Sequence, residues 1–482
     1  MIRPRLFAIF VTASFALQAC SGGGSGSPVP LNQAGRSVRV IRPSASSGKI
    51  QHVIIMLQEN RTFNNLFATF PGTTGATAGY YLKGPKRIKT PITLTESTLP
   101  ATDYNHDSRA YNYACDGKDT YPKTSCTMDG FNLVGVNGNN PSSTGPYQYV
   151  DPKYIKPYWA MAKQYGIADH LFATQGSASF TAHQDLLEGG SMIVDSQCTN
   201  DPECALIDLP TEAGNWGCSA QYTFTNVLTN EGKFIYKGGP PPCLTYPDKN
   251  MADLLDAAGV SWKYYVPPYK PHTAGAEWDG AAAISEIYNG PDWKNDVSIP
   301  QTNIFNDITA GTLPSVSWLI PTQVDSDHPH KPTSEDDGPD WVGSVVNAVG
   351  QSNYWDSTAI IVTWDDFGGF FDPVPPAFFD DQGGLGFRVP MLVISPYVKP
   401  HTVSTTQYEF ASILVFVEDN FGLGRMGTPS FPNNDSRAAS MADMFDFTMK
   451  NPRKFKTIPT ALTKSHFMHE PVSYTTSDSD GD

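Results

Sequence analysis

The chain of 482 residues has no uninterrupted apolar run of about 18 residues, the length that a membrane-spanning helix needs. Its cysteines show no C-x-x-C spacing, so a zinc site of the finger type is excluded. Basic residues are few: 33 Lys+Arg stand against 48 Asp+Glu, a formal charge of -15. That balance argues against a nucleic-acid binder, whose footprint is basic. Glycine (41) and proline (40) follow no G-x-y period, and no internal repeat is visible, which excludes collagen and solenoid arrays. What remains is globular: 40% hydrophobic and 12% aromatic residues, enough for a large core with many ordered loops.

The N-terminus carries export chemistry. Arg3 and Arg5 precede an apolar run from Leu6 to Leu17, which ends in Leu17-Gln18-Ala19-Cys20. The pattern is that of a secretory signal peptide over 1–20 with a lipobox-like end, so Cys20 is the candidate lipidation site, with a plain signal-peptidase cut as the alternative. Residues 21–47 read as a flexible Gly/Ser tether. The organisation expected is therefore a catalytic domain over 48–465 and an acidic, disordered tail over 466–482. The expected location is the bacterial cell envelope, as a lipoprotein, or the outside. Six cysteines remain after Cys20. Short loops favour the pairs Cys115–Cys126, Cys198–Cys204 and Cys218–Cys243 among fifteen connectivities.

Apolar runs of strand length recur at 52–57, 167–172, 262–266, 316–320, 359–364 and 389–394, mostly without period-2 alternation. Such runs suit strands buried on both faces of a parallel sheet. Helical stretches alternate with them at 157–165, 182–188, 251–258, 281–288, 341–349 and 408–420. The expectation is a three-layer α/β/α fold with a mostly parallel central sheet and long insertions at 72–150 and 190–250.

In such sheets ligands bind beyond the carboxyl ends of the strands. Polar residues follow three runs: Gln58-Glu59-Asn60-Arg61, then Asp325, Asp327, His328 and His330, then Asp365-Asp366. Carboxylates and an amide from separate strands are oxygen ligands for a divalent cation. Ser177, Ser179 and Thr181 lie in a Gly-containing loop that opens a helix, where free N–H groups favour an anion. Each taken alone is more often a cap or a turn. His52 and His170 read as structural. His183, a helical turn after Ser179, either caps the site or packs beneath it. The acidic run 335–337 reads as a solvated loop. The pairs Tyr80-Tyr81, Tyr264-Tyr265 and Phe370-Phe371 read as core or rim packing, with an aromatic cage as the alternative.

Six segments in order resemble the bacterial phospholipase C and acid phosphatase superfamily, a branch of the alkaline-phosphatase-like folds. They are HVIIMLQENRTFNNLF, MDGF, GSASFTAHQDLLEGGS, SDHPH, WDDFGGFFDPVPP and GFRVPMLVISPYV. The resemblance implies that Glu59, Asn60, Asp365 and Asp366 hold one divalent metal ion that Ser179 also touches. It implies that Ser179 is the nucleophile of a phosphoric ester hydrolase. His106 and His328 would stand near the phosphoryl group, with His272 as a weaker third. Many relatives have Asp-His where this chain has Asp372-Pro373, and many have Pro in place of Thr181. A Ser with paired Asp favours acid phosphatase-like activity through a phosphoseryl intermediate, as does a chain that ends soon after the catalytic region. A phospholipase C acting on phosphatidylcholine-type lipids is the alternative. Substrates would then be phosphate esters or phospholipids. The membrane would be a partner through the Cys20 anchor, and nucleic acid would not be one. A sulfatase lacks its C/S-x-P-x-R signature here. A non-enzymatic surface lipoprotein is the remaining reading.

Overall fold

The computed structural model describes residues 46–472 apart from 101, 122, 137–139, 142, 193–203, 211–215, 221–222, 230–232, 269–277, 330–336, 380–382 and 428–432. The described residues belong to one compact unit, Ile41–Asp482. The expected signal peptide, most of the tether, Cys20 and Cys198 lie outside them. Among the described residues no helix is long and apolar enough to cross a membrane.

The centre is an eight-stranded sheet. Its strands in chain order are β1 (His52–Gln58), β2 (Gly166–Phe172), β3 (Trp262–Tyr265), β4 (Val297–Ser298), β5 (Val316–Leu319), β6 (Thr358–Trp364), β7 (Arg388–Ile394) and β8 (Thr402–Ser404). They lie in the order β4-β3-β5-β1-β6-β7-β2-β8, and only β7 runs against its neighbours. All six expected strands are present. The two missed, β4 and β8, are edge strands of two and three residues, too short for a hydrophobic pattern. Every residue of β6 and β7 is buried, so the sheet is covered on both faces. The continuous apolar runs follow from that double burial.

The covering helices are α1 (Phe63–Phe67), α2 (Ser108–Asp116), α3 (Lys156–Gln164), α4 (Ser179–Glu188), α5 (Met251–Ala258), α6 (Asn303–Ala310), α7 (Asp337–Gly350) and α8 (Phe410–Phe421). They form two groups: α3 and α6 pack on α7, while α5 and α8 pack on α4. The three-layer expectation holds. The stretch 281–288 is broken into Gly280–Ala283 and Ser285–Asn289. Asp337 is not part of a solvated loop: it is buried at the start of α7. The chain stays packed as far as Phe467, whose ring lies 5.3 Å from that of Trp341.

The insertion at 72–150 builds a second core. Phe131 packs on Tyr147, Phe367, Phe371 and Phe387, and Tyr104 meets Phe370 edge-on at 5.4 Å. This aromatic layer clamps the insertion onto the loop after β6. Cys115–Cys126 closes it, and Cys218–Cys243 pairs likewise.

Candidate active site

β1 and β6 are parallel neighbours whose last paired residues are Gln58 and Trp364. The ladder continues one bond further, from Asp365 N–H to the Gln58 carbonyl at 3.1 Å. Glu59-Asn60 and Asp365-Asp366 therefore emerge side by side. Asn60 turns the chain with φ +62°, a left-handed conformation that asparagine tolerates. Its N–H donates to Asp365 Oδ1 at 2.8 Å. Gly368 also has positive φ, and a Cβ there would lie 2.2 Å from the Asn60 carbonyl oxygen. Only glycine lets the two strand-end loops touch.

Ser179 opens α4, and the N-cap residue Ala178 supplies no side-chain acceptor. The Thr181 and Ala182 N–H groups donate to the Ala178 carbonyl at 3.2 and 3.3 Å, which leaves the Ser179 and Phe180 amides of this ten-residue helix to meet an anion. Ser179 Oγ lies 3.4 Å from Asp366 Oδ2 and 3.5 Å from both Glu59 Oε2 and Asn60 Oδ1. The neighbouring hydroxyls face elsewhere. Thr181 Oγ1 donates to the Ala178 carbonyl at 2.9 Å, and Ser177 Oγ donates to Asp208.

His106 donates from Nδ1 to the Tyr104 carbonyl at 2.7 Å. Its Nε2 is then turned toward Asn60 Nδ2 (3.4 Å) and Asp366 Oδ2 (3.9 Å). The His328 ring centroid stands 6.5 Å from that of His106 and 5.5 Å from that of Trp278. Glu59, Asn60, His106, Ser179, His328, Asp365 and Asp366 are all buried. The structure thus brings these seven sequence candidates together, while His272 and His330 lie outside the described residues.

Two sequence candidates from the loop after β5 are not in the cluster. Asp327 accepts from Tyr158 OH at 2.9 Å and Trp364 Nε1 at 2.8 Å, and the Arg61 guanidinium donates to its carbonyl. It joins that loop to α3 and β6. Burial, then the nearness of Glu470, holds the Asp325 carboxyl well above its ordinary range.

One site residue was left undecided by sequence. His183 Nε2 lies 3.0 Å from Glu59 Oε1. The i, i+4 spacing puts His183 on the Ser179 face of α4, which was the available signal. Burial pushes its pKa down to about 4, against the charge of Asp365 and the Trp278 carbonyl, so the imidazole is neutral near pH 7. Burial would also raise Asp365, but Glu59, His183, Ser179 and the Asn60 amide together hold that carboxyl below its usual value.

Glu59, His183 and Asp365 each offer a ligand atom, and these atoms all lie within 4.8 Å of one another. Asp365 Oδ2 is buried and makes no hydrogen bond. A buried carboxylate oxygen without a donor is costly unless a cation meets it. The donor set of carboxylates, an amide oxygen and a neutral imidazole fits a divalent ion.

The family model described as Phosphoesterase family matches residues 50–424. The chain is 25% identical to the non-hemolytic phospholipase C of Pseudomonas aeruginosa over 89% of its own length, and spans 61% of that protein. It is 24% identical to phospholipase C A of Mycobacterium tuberculosis, with 78% of this chain and 73% of that one covered. A solved protein of the alkaline phosphatase superfamily from Vibrio parahaemolyticus matches at a TM-score of 0.35 and 11% identity, over 84% of this chain and 74% of that one. That likeness is too slight to carry an argument.

Proposed function

We propose, on the premise that this chain belongs to the phosphoesterase family, that it is a phosphoric ester hydrolase with Ser179 as its nucleophile. The observation that supports this reading is the hydroxyl of Ser179, at a helix N-terminus, facing Glu59, Asn60 and Asp366 within 3.5 Å. One divalent cation held by Glu59, Asn60, Asp365 and Asp366 would offset phosphoryl charge and favour the ionised serine.

The chain's own groups have the following work. Ser179 Oγ attacks phosphorus in line, and the P–O bond to the leaving group breaks. The hydroxyl proton goes to Asp366, its nearest acceptor. Protonated His106 gives the Nε2 proton to the leaving alkoxide, and Asp366 restores it across the 3.9 Å between them. The Ser179 and Phe180 amides at the start of α4, with His328, stabilise the phosphoryl oxygens. Water then attacks phosphorus and gives a proton to Asp366, the Ser179 Oγ–P bond breaks, Asp366 returns that proton to Oγ across the 3.4 Å between them, and phosphate or a phosphomonoester leaves. Glu59 is positioned by His183.

Relatives named phospholipase C support a phosphodiester headgroup as the substrate. The Ser with paired Asp supports the acid phosphatase-like alternative. The signal-like N-terminus and two disulfides support an exported protein, anchored through Cys20 if that residue is lipidated. The deciding experiment compares release of phosphocholine from phosphatidylcholine with release of phosphate from p-nitrophenyl phosphate. Turnover of either supports a phosphoric ester hydrolase and the ratio assigns the class. Turnover of neither, nor of any other phosphoric ester tried with added divalent cation, contradicts the reading.

A further inference from the structure

Residues 78–93 carry Lys83, Lys86, Arg87 and Lys89 and no acid, within a chain whose formal charge is -15. They form an antiparallel hairpin, Ala78–Lys83 with Ile88–Thr93. Its base is packed: Leu82 is buried, and Tyr81 and Ile92 lie against the second core. Its tip is not: every residue of 83–89 is exposed, Ile88 at 60%, and Tyr80, on the other face of the ribbon from Ile88, is 49% exposed. Arg87 donates to the Gly117 carbonyl, and Lys89 sits 3.2 Å from Asp129 and 4.8 Å from the centre of the Tyr80 ring. Among the described residues the side chains of Lys83 and Lys86 have no hydrogen-bond or ion-pair partner.

We infer that this hairpin docks the enzyme on an anionic lipid surface. An exposed tyrosine and isoleucine beside uncompensated lysines match the two layers of a bilayer interface. The aromatic and aliphatic groups enter the headgroup level, and the ammonium groups meet lipid phosphates. A nucleic acid would use the cations but not the outward isoleucine. The rest of the acidic body is repelled by the same surface, so the hairpin sets the orientation as well as the contact.

The docking element is tied to the reaction centre. Gly79 leaves room for the Phe371 ring, whose Cζ would be 2.5 Å from a Cβ there. The Leu82 N–H donates to the Asn132 amide oxygen at 3.1 Å, and the Asn132 amide donates back to the Leu82 carbonyl at 2.9 Å. Phe371 belongs to the same loop as Asp365 and Asp366. The hairpin is thus braced against the loop that carries two of the site carboxylates. The inference deepens the proposed function: it names the surface on which a lipid phosphoester would be met, and it rests on that reading only for its purpose, not for the binding itself.

The test is sedimentation of the full chain with vesicles of phosphatidylglycerol and phosphatidylcholine, against vesicles of phosphatidylcholine alone. The expected result is binding to the anionic vesicles that falls as salt rises. Binding should weaken about tenfold or more in Lys83→Glu/Lys86→Glu, and measurably in Ile88→Ser. All variants keep the same N-terminus, so any contribution of Cys20 cancels. Hydrolysis of a soluble chromogenic phosphate ester should be unchanged, which reports that the fold is intact. Equal binding of wild type and the charge-reversed variant, or no preference for anionic vesicles, overturns the docking surface. A wild type that binds as expected but hydrolyses no phosphate ester overturns the proposed function instead.

Discussion

Two buried carboxylate clusters belong to this fold, and they are neutralised differently. In the first, Arg388 reaches Asp169 Oδ1 at 3.0 Å and Asp372 at 3.1 Å, and also takes the Thr74 hydroxyl. All three charged side chains are fully buried, and the guanidinium stacks 4.3 Å from the Phe63 ring. In the second, Glu59, Asp365 and Asp366 converge on a serine hydroxyl and a neutral imidazole, and one carboxylate oxygen, Asp365 Oδ2, has no donor. The first cluster carries its cation covalently, as an arginine. On the proposed reading, the second leaves that place to a divalent ion and a phosphoryl group. The same residue types then serve as a structural brace in one region and as the proposed reaction centre in the other. The difference lies in whether the chain itself supplies the positive charge.

Replacing the internal cation should break that contrast most severely. Arg388→Met leaves Asp169 and Asp372 buried without their partner, a loss of roughly 3 to 5 kcal/mol in folding stability. Calorimetry or urea unfolding reads it; a variant within 1 kcal/mol of wild type would show that the brace is dispensable. Ser179→Ala should do the opposite, leaving stability nearly unchanged while turnover falls by at least about 10²-fold, or ~2.7 kcal/mol in the barrier. A fully active Ser179→Ala moves the nucleophile elsewhere.

A further expected effect is a pH dependence of stability away from both clusters. Burial raises Asp185, Asp208 and Asp279 to about 7. In the unfolded chain such groups titrate near 3.9. Between those values the folded state holds protons that the unfolded state has released, so stability falls as pH rises from about 4 through 7. The melting temperature, measured in chelator to keep cation loss out of the result, should be lower at pH 8 than at pH 5. A rise over that interval would contradict the burial argument.

The sheet was legible in the sequence because double burial writes continuous apolar runs, and six of eight strands could be read from them. The short edge strands write no such pattern. The N-terminus of α4 was read three residues late, since Ser179-Phe180-Thr181 lies beside a glycine-containing loop and mixes loop and helix preferences. The strand-end residues Glu59, Asn60, Asp365 and Asp366 were legible from position alone. Direction was not: Asp327 also follows a strand, yet it points to Tyr158 and Trp364. His183 and Glu59 are 124 residues apart, and only the folded chain puts them in contact. The partner of Asp372 was equally invisible, because Arg388 reaches it from the one antiparallel strand.

The most direct test of the contrast is metal content. Purified wild-type protein, analysed by plasma mass spectrometry after desalting, should carry about one divalent ion per chain. Asp365→Asn, which neutralises the carboxylate with the donorless oxygen, should carry little, and chelated wild type should lose phosphoester hydrolysis until a divalent cation is returned. Metal-free wild type with full activity, or equal metal in wild type and Asp365→Asn, would contradict the account.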